Sequence, residues 1–211
     1  MFANRTDAGR QLASALTEYR GKPVVVYALP RGGVVCGLEV ARALEAPLDL
    51  IVARKIGHPQ SPEYAIGAVT EEGDVVLNPA ESDTLNLPWL KLAAEAELRE
   101  ARRRRALFLG GRAPIPVDGK IAIVVDDGLA TGLTMEAAVH QLCKRRPEKV
   151  IVAVPVAATQ TVQRLRWQAD QIVVLETPKV FEAVGLFYRN FDQVSDDEVV
   201  AMMKGMMPVG G

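Results

Sequence analysis

The sequence predicts an α/β fold: a mainly parallel central sheet with helices on both faces, a hairpin or lid beside it, and a small hood toward the C-terminal end. Three observations carry that expectation. Strand-like runs at about 24–28, 48–53, 121–125, 149–154 and 171–175 alternate with helical patterns near 33–45, 132–145 and 159–168, the order of repeated strand-helix-strand units. The runs are short, β-branched and continuously apolar, as strands are when both faces are covered. The turns that carry glycine and polar groups follow strand ends, the edge at which such sheets bind ligands.

Taken in order, the first segment, MFANRTDAGRQLASAL, reads as an amphipathic helix with Leu12, Ala15 and Leu16 on one side and lacks the apolar centre of a secretory signal. Val24–Ala28 is followed by the turn Leu29-Pro30-Arg31-Gly32-Gly33 and a helix patterned on Val34, Val35, Leu38, Ala41 and Leu44. The run 48–53 closes on Arg54 and Lys55. In the next stretch, IGHPQSPEYA, Gly57, Pro59 and Pro62 oppose regular structure, while His58, Gln60, Glu63 and Tyr64 supply polar groups. That composition suits a flexible lid at about 55–67. Segments 65–70 and 74–77 flank Glu71-Glu72-Gly73 as a hairpin. Residues 78–119 add a charged helix in which Glu95 and Glu100 precede Arg99 and Arg104 by four, so its basic run 102–105 reads as a solvated face. Ser195-Asp196-Asp197-Glu198 has the capping pattern of a last helix.

The chain's 211 residues suit one domain, 1–211, with the hood drawn from about 176–211. Its 25 basic and 26 acidic residues leave a net charge of −1, which argues against a dedicated nucleic-acid or anionic-membrane surface. No apolar run approaches the ~20 residues that cross a bilayer. Cys36 and Cys143 both fall in apolar helical patterns and read as reduced core residues, so a cytoplasmic location is expected. His58 and His140 are too few and too separated for a zinc site.

The chemistry concentrates in IAIVVDDGLATGLT, residues 121–134. A buried strand ends in Asp126 and Asp127, then Gly128, Ala130 and Gly132 let the backbone approach a ligand, with Thr131 and Thr134 at a helix start. Unpaired N–H groups and the positive end of the helix dipole converge there, so an anion, foremost a phosphate, is expected. The two carboxylates would repel that phosphate and should instead accept from hydroxyl groups. A sugar phosphate satisfies both halves. The turn has neither the Gly-Lys-Ser/Thr of a P-loop nor the three glycines of a dinucleotide fingerprint.

VVDDGLATGLT resembles the phosphoribosyl-diphosphate (PRPP) motif of the type I phosphoribosyltransferases. The resemblance implies that Asp126 and Asp127 hold the ribose hydroxyls and that Gly128, Leu129, Ala130, Thr131, Gly132, Leu133 and Thr134 wrap the 5′-phosphate. It further implies a diphosphate loop at Arg31-Gly32, joined through a cis peptide, and a diphosphate-reaching base at Lys55. Arg31, Lys55 and Asp127 then carry catalysis, with Mg²⁺ bound along with PRPP and no metal held by the protein alone. Transfer of ribosyl-5-phosphate to a nitrogenous acceptor is the implied activity. Phe181, Phe187 and Tyr188 in the hood, and Tyr64 in the lid, are the acceptor-binding candidates. Ala130 stands where 6-oxopurine-salvaging members carry an Asp, which weakens a hypoxanthine or guanine assignment. Homo-oligomer formation is left open, and the alternative reading is a non-catalytic PRPP-binding sensor or regulator.

Overall fold

A computed structural model describes residues 1–81 and 86–206. Five parallel strands, β1 (Val24–Ala28), β2 (Leu48–Leu50), β6 (Ile121–Val125), β7 (Lys149–Val156) and β8 (Gln171–Glu176), form the main sheet in the order β2-β1-β6-β7-β8. β1 and β6 lie side by side in the middle, with Val24 opposite Ile121 and Ala28 opposite Val125. The diphosphate-loop candidate and the acidic motif therefore leave adjacent strand ends. Every residue of β1 and β6 is buried, as continuous apolar runs demand.

The two-residue period sorts those side chains onto opposite faces. Val24, Val26, Ile121, Ile123 and Val125 pack with α1 (Arg5–Ala15), α2 (Gly32–Leu44), the end of α3 (Leu87–Leu109) and α6 (Asp196–Gly205). Val25, Tyr27, Ala122 and Val124 pack with α4 (Leu133–Lys144) and α5 (Thr159–Leu165). Helices thus cover both faces. At about 25 cal/mol per Å² of apolar surface removed from water, these two layers are the main source of stability.

Beside the main sheet lies a three-stranded antiparallel sheet of β3 (Ala53–His58), β4 (Ser61–Thr70) and β5 (Val75–Leu77). This corrects two expectations. The run 48–53 is split, its first half in the main sheet and its end opening β3, and the stretch 56–65 is not a free loop but a hairpin in which Gly57 pairs with Ala65 and His58 with Ser61. Pro62 is tolerated because the ladder is already irregular there, with register shifts around Gly57. The β4–β5 hairpin around 71–73 forms as expected, with Gly73 at φ +97°.

The small sheet is fastened to the body by buried charge. Arg105 of α3 bonds Asp49 of β2 at 3.2 Å, donates to the Leu50 carbonyl and lies 3.6 Å from Glu71. The basic run is therefore not wholly a solvated face: Arg103 and Arg104 pair with Glu100 on the helix surface, whereas Arg105 turns inward. Cys143 is another correction, being exposed, while Cys36 is buried. Ser195 and Glu198 form the expected capping box at α6. The hood reading of 176–211 extends to residues 207–211, which lie outside the described residues.

Candidate functional site

β6 delivers Asp126 and Asp127 to the carboxyl edge of the sheet, and β1 delivers Arg31 and Gly32 to the same crevice. The cis peptide lies at Pro30–Arg31, one bond earlier than the expected Arg31–Gly32. Contact between the two loops is close enough to define Gly32 chemically. A Cβ built there would fall 1.9 Å from Asp127 Oδ2 and 2.7 Å from Arg5 Nε, so only glycine fits under that ion pair. Gly33 sits likewise against Asp126.

Asp126 accepts the Asp127 N–H through its side chain at 2.8 Å. Burial, reinforced by the charge of Asp127, pushes the Asp126 carboxyl well above the usual range, against the opposing effects of that N–H bond and of Arg5. Two adjacent carboxylates at one strand end can each accept from a hydroxyl, which suits a vicinal pair of hydroxyls.

The segment from Gly128 to Thr134 is pinned from one side. Leu129 donates to the Val156 carbonyl at 2.9 Å and accepts from Ala158 at 3.0 Å. Thr161 and Arg164 of α5 take the carbonyls of Ala130 and Thr131. Gly132 caps α4 at φ +75°, a left-handed conformation, and offers no side chain to the helix start. The first intrahelical bond closes from Glu136 to Gly132 at 2.9 Å. The N–H groups of Leu133, Thr134 and Met135 are thus without intrahelical acceptors at the positive end of the helix dipole and could hold a phosphate.

Of the two expected diphosphate groups, Arg31 ends at the N-terminus of α6, 3.3 Å from Asp196 Oδ1. Lys55 lies inside β3 and bonds Glu63 across the hairpin at 2.8 Å. It pairs with Ala68, so both side chains share a face, and Ala68 packs on Leu133 and Ala137 at the start of α4. Lys55 is accordingly carried on the side of the small sheet that meets the start of α4.

The acceptor candidates separate. Phe181 stacks on Phe187 with centroids 5.3 Å apart, and together with Glu182 it borders a cleft of about 330 Å³ closed on the other side by Ala130, Thr131, Thr161 and Arg164. Tyr188 does not present a free ring: it is buried between Phe2 and Phe191, and its hydroxyl donates to the Asp127 carbonyl at 2.5 Å. Burial pushes that phenol up. Tyr64 is exposed on β4 and bonds Glu81 at 2.8 Å.

Sequence reasoning missed Arg5. From the first turn of α1 its Nε donates to Asp127 Oδ2 at 2.6 Å and its Nη1 to the Asp192 carbonyl at 2.6 Å, with the guanidinium 3.7 Å over the Phe191 ring. No local motif marks it, because its partners lie 122 and 187 residues away.

Comparison with known proteins agrees with this architecture. A Mycobacterium tuberculosis protein (strain H37Rv) provisionally named a phosphoribosyl transferase is 48% identical over 208 residues, covering 96% of this chain and 46% of that protein. The chain therefore spans about half the length of this relative. Among solved structures, TT1426 from Thermus thermophilus aligns with a TM-score of 0.83 and 39% identity, over 98% of this chain and 99% of that one. The AQ2163 protein from Aquifex aeolicus shares the fold at 15% identity, with a TM-score of 0.52 over 86% and 78% of the respective chains. The phosphoribosyl transferase domain model matches residues 3–192, and on that extent of match the chain belongs to the phosphoribosyl transferase family.

Proposed function

We propose that the protein transfers ribosyl-5-phosphate from PRPP to a nitrogenous acceptor and releases diphosphate. The observation that carries this reading is the convergence of three binding chemistries on one crevice. The acids Asp126 and Asp127 suit ribose hydroxyls, the start of α4 suits the 5′-phosphate, and the loop at Arg31-Gly32 touches Asp127 where diphosphate would lie. Positive charge develops on the anomeric carbon and negative charge on the leaving group, so positioning and electrostatics supply most of the rate.

The acids fix the ribose. Arg31 and Lys55 swing from their present carboxylate partners to the diphosphate, a change of partner for each. Mg²⁺ bound with PRPP would neutralise phosphate oxygens. Asp127 is already engaged by Arg5, which suits an ion that would bring its own ligands from PRPP and water. The cleft of about 330 Å³ between the phosphate loop and Phe181 is the acceptor site. Ala130 on its wall carries no carboxylate, which weighs against a 6-oxopurine acceptor.

One observation favours the second reading, a PRPP sensor: both proposed diphosphate cations are held by carboxylates, Arg31 by Asp196 and Lys55 by Glu63. Incubating the protein with PRPP, Mg²⁺ and a panel of nitrogenous acceptors decides between them. Diphosphate release with one acceptor class establishes the transferase; tight PRPP binding with no release from any acceptor establishes the sensor.

A further inference from the structure

Arg5 lies outside every motif, yet it touches three parts of the proposed PRPP site at once. Its Nε holds Asp127 Oδ2 at 2.6 Å, and both atoms lie over Gly32 of the diphosphate loop. Its Nη1 holds the Asp192 carbonyl at 2.6 Å and its plane covers Phe191 in the hood. The side chain is 12% exposed and that of Asp127 14%. An ion pair so desolvated is weak evidence for stability, because the cost of burying both charges offsets much of their attraction. Its place at this spot points to another role.

We propose that Arg5 is a positioning residue of the ribose site: it orients the Asp127 carboxylate toward a ribose hydroxyl and couples that carboxylate to the hood, so that ribose binding and hood placement are one event. The inference rests on the PRPP reading. The guanidinium suits the task because its planar fork can hold a carboxylate, a carbonyl and an aromatic face together, which an ammonium cannot. The helix carrying it is itself fixed: Asn4 caps α1, and Phe2 is bonded to the Phe187 carbonyl at 2.8 Å.

A merely structural Arg5 and a positioning one differ in pH dependence. The titratable groups facing the pair are Asp126 beside it, Cys36 from α2 and the Tyr188 hydroxyl. Cys36 and Tyr188 are both pushed up and stay neutral. Arg5 opposes the upward push on Asp126, so its removal raises that carboxyl further. Protonation costs the site an acceptor, and the loss is felt as pH falls.

The test is calorimetric titration of PRPP with Mg²⁺, and of ribose-5-phosphate, into wild type, Arg5→Gln and Arg5→Lys over a range of pH. Expected are a weakening of about tenfold or more for Arg5→Gln near neutrality, a loss that grows as pH falls and shrinks as it rises, and recovery of the wild-type pH profile, but not of full affinity, in Arg5→Lys. Carbon-13 chemical shifts of the Asp126 carboxyl in wild type and Arg5→Lys supply a second readout should Arg5→Gln not fold: its midpoint should not differ between them. An Arg5→Gln profile parallel to wild type, or a shifted Asp126 midpoint in Arg5→Lys, overturns the inference while leaving the PRPP reading intact. Wild type that binds neither ligand overturns the PRPP reading and this inference with it.

Discussion

At the level of single residues, Asp126 sets the proposed ribose binding against stability. Its carboxyl is raised by burial and by Asp127, so the folded state binds its proton more tightly than the unfolded chain does. The stabilisation this gives is complete below the unfolded value, about pH 4, and is lost as pH rises through the folded one. Above that range a desolvated charge remains in the crevice. Asp126→Asn should therefore raise the melting temperature at neutral and alkaline pH, the gain fading toward about pH 4, while PRPP binding weakens. Melting curves at a series of pH values, paired with calorimetry, check both halves; a variant destabilised equally at every pH would refute the assignment. Gly32→Ala tests the same crevice by steric means. The new methyl would meet Asp127 Oδ2 at 1.9 Å, so we expect a stability loss of about 1–3 kcal/mol from forced displacement and PRPP binding impaired beyond what that loss explains, read by denaturant melts and titration.

At the level of elements, the contact between α6 and the proposed diphosphate loop predicts an internal competition. Asp196 holds Arg31 at 3.3 Å with both side chains about one-third exposed, 38% and 31%. A pair of that kind contributes about 0.2–1 kcal/mol, so freeing Arg31 by Asp196→Asn should tighten PRPP binding by up to about fivefold. Ribose-5-phosphate, which lacks diphosphate, should bind as before. Equal tightening of both ligands would place the effect elsewhere. The legibility of the sequence divides at this scale as well. β1 and β6 were readable to the residue because a short, β-branched apolar run bounded by turn residues favours a strand covered on both faces, and the acids and glycines follow directly from their ends. The hairpin β3–β4 was not: its glycine and prolines argue against strands locally, and pairing with β5 and packing on α3 and α4 override that preference. Arg5 escaped, and Tyr188 reads in the sequence as an acceptor-binding ring rather than as a support for Asp127, for a related reason. Each acts through a partner far along the chain, 122 residues off for Arg5 and 61 for Tyr188, and neither neighbourhood carries a pattern that names it.

For the whole molecule, the question is how the small sheet carrying Lys55 keeps its bearing on the main sheet. Apolar packing of β4 on α4 is one fastening, through Ala68, Leu133 and Ala137. The other is electrostatic, where Arg105 joins Asp49 of the main sheet to Glu71 at the end of the small one. Glu71 also accepts the Val52 N–H at 2.8 Å and a Gln141 amide hydrogen at 3.1 Å, so the link between β2 and β3, the end of β4 and α4 meet on one buried carboxylate. Arg105→Ala leaves Glu71 without its counter-charge, while Asp49 keeps Arg112 at 3.6 Å, and breaking a buried pair on one side costs about 3–5 kcal/mol. Burial already raises Glu71, and Arg105 opposes that rise. Its folded-state proton affinity is thus higher than in the unfolded chain, and higher again in the variant. Protonation below the folded value relieves the stranded charge, so the deficit of Arg105→Ala against wild type should shrink as pH falls through the range of that carboxyl and widen as pH rises. Hydrogen exchange should report the loss first in β3, β4 and β5, with β1 and β6 protected until global unfolding. Turnover should fall more than ribose-5-phosphate binding, since Lys55 rides on the loosened sheet whereas Asp126, Asp127 and the start of α4 belong to the main one. Uniform exchange across both sheets, or a deficit unchanged with pH, would show that the apolar fastening alone holds the two parts in register.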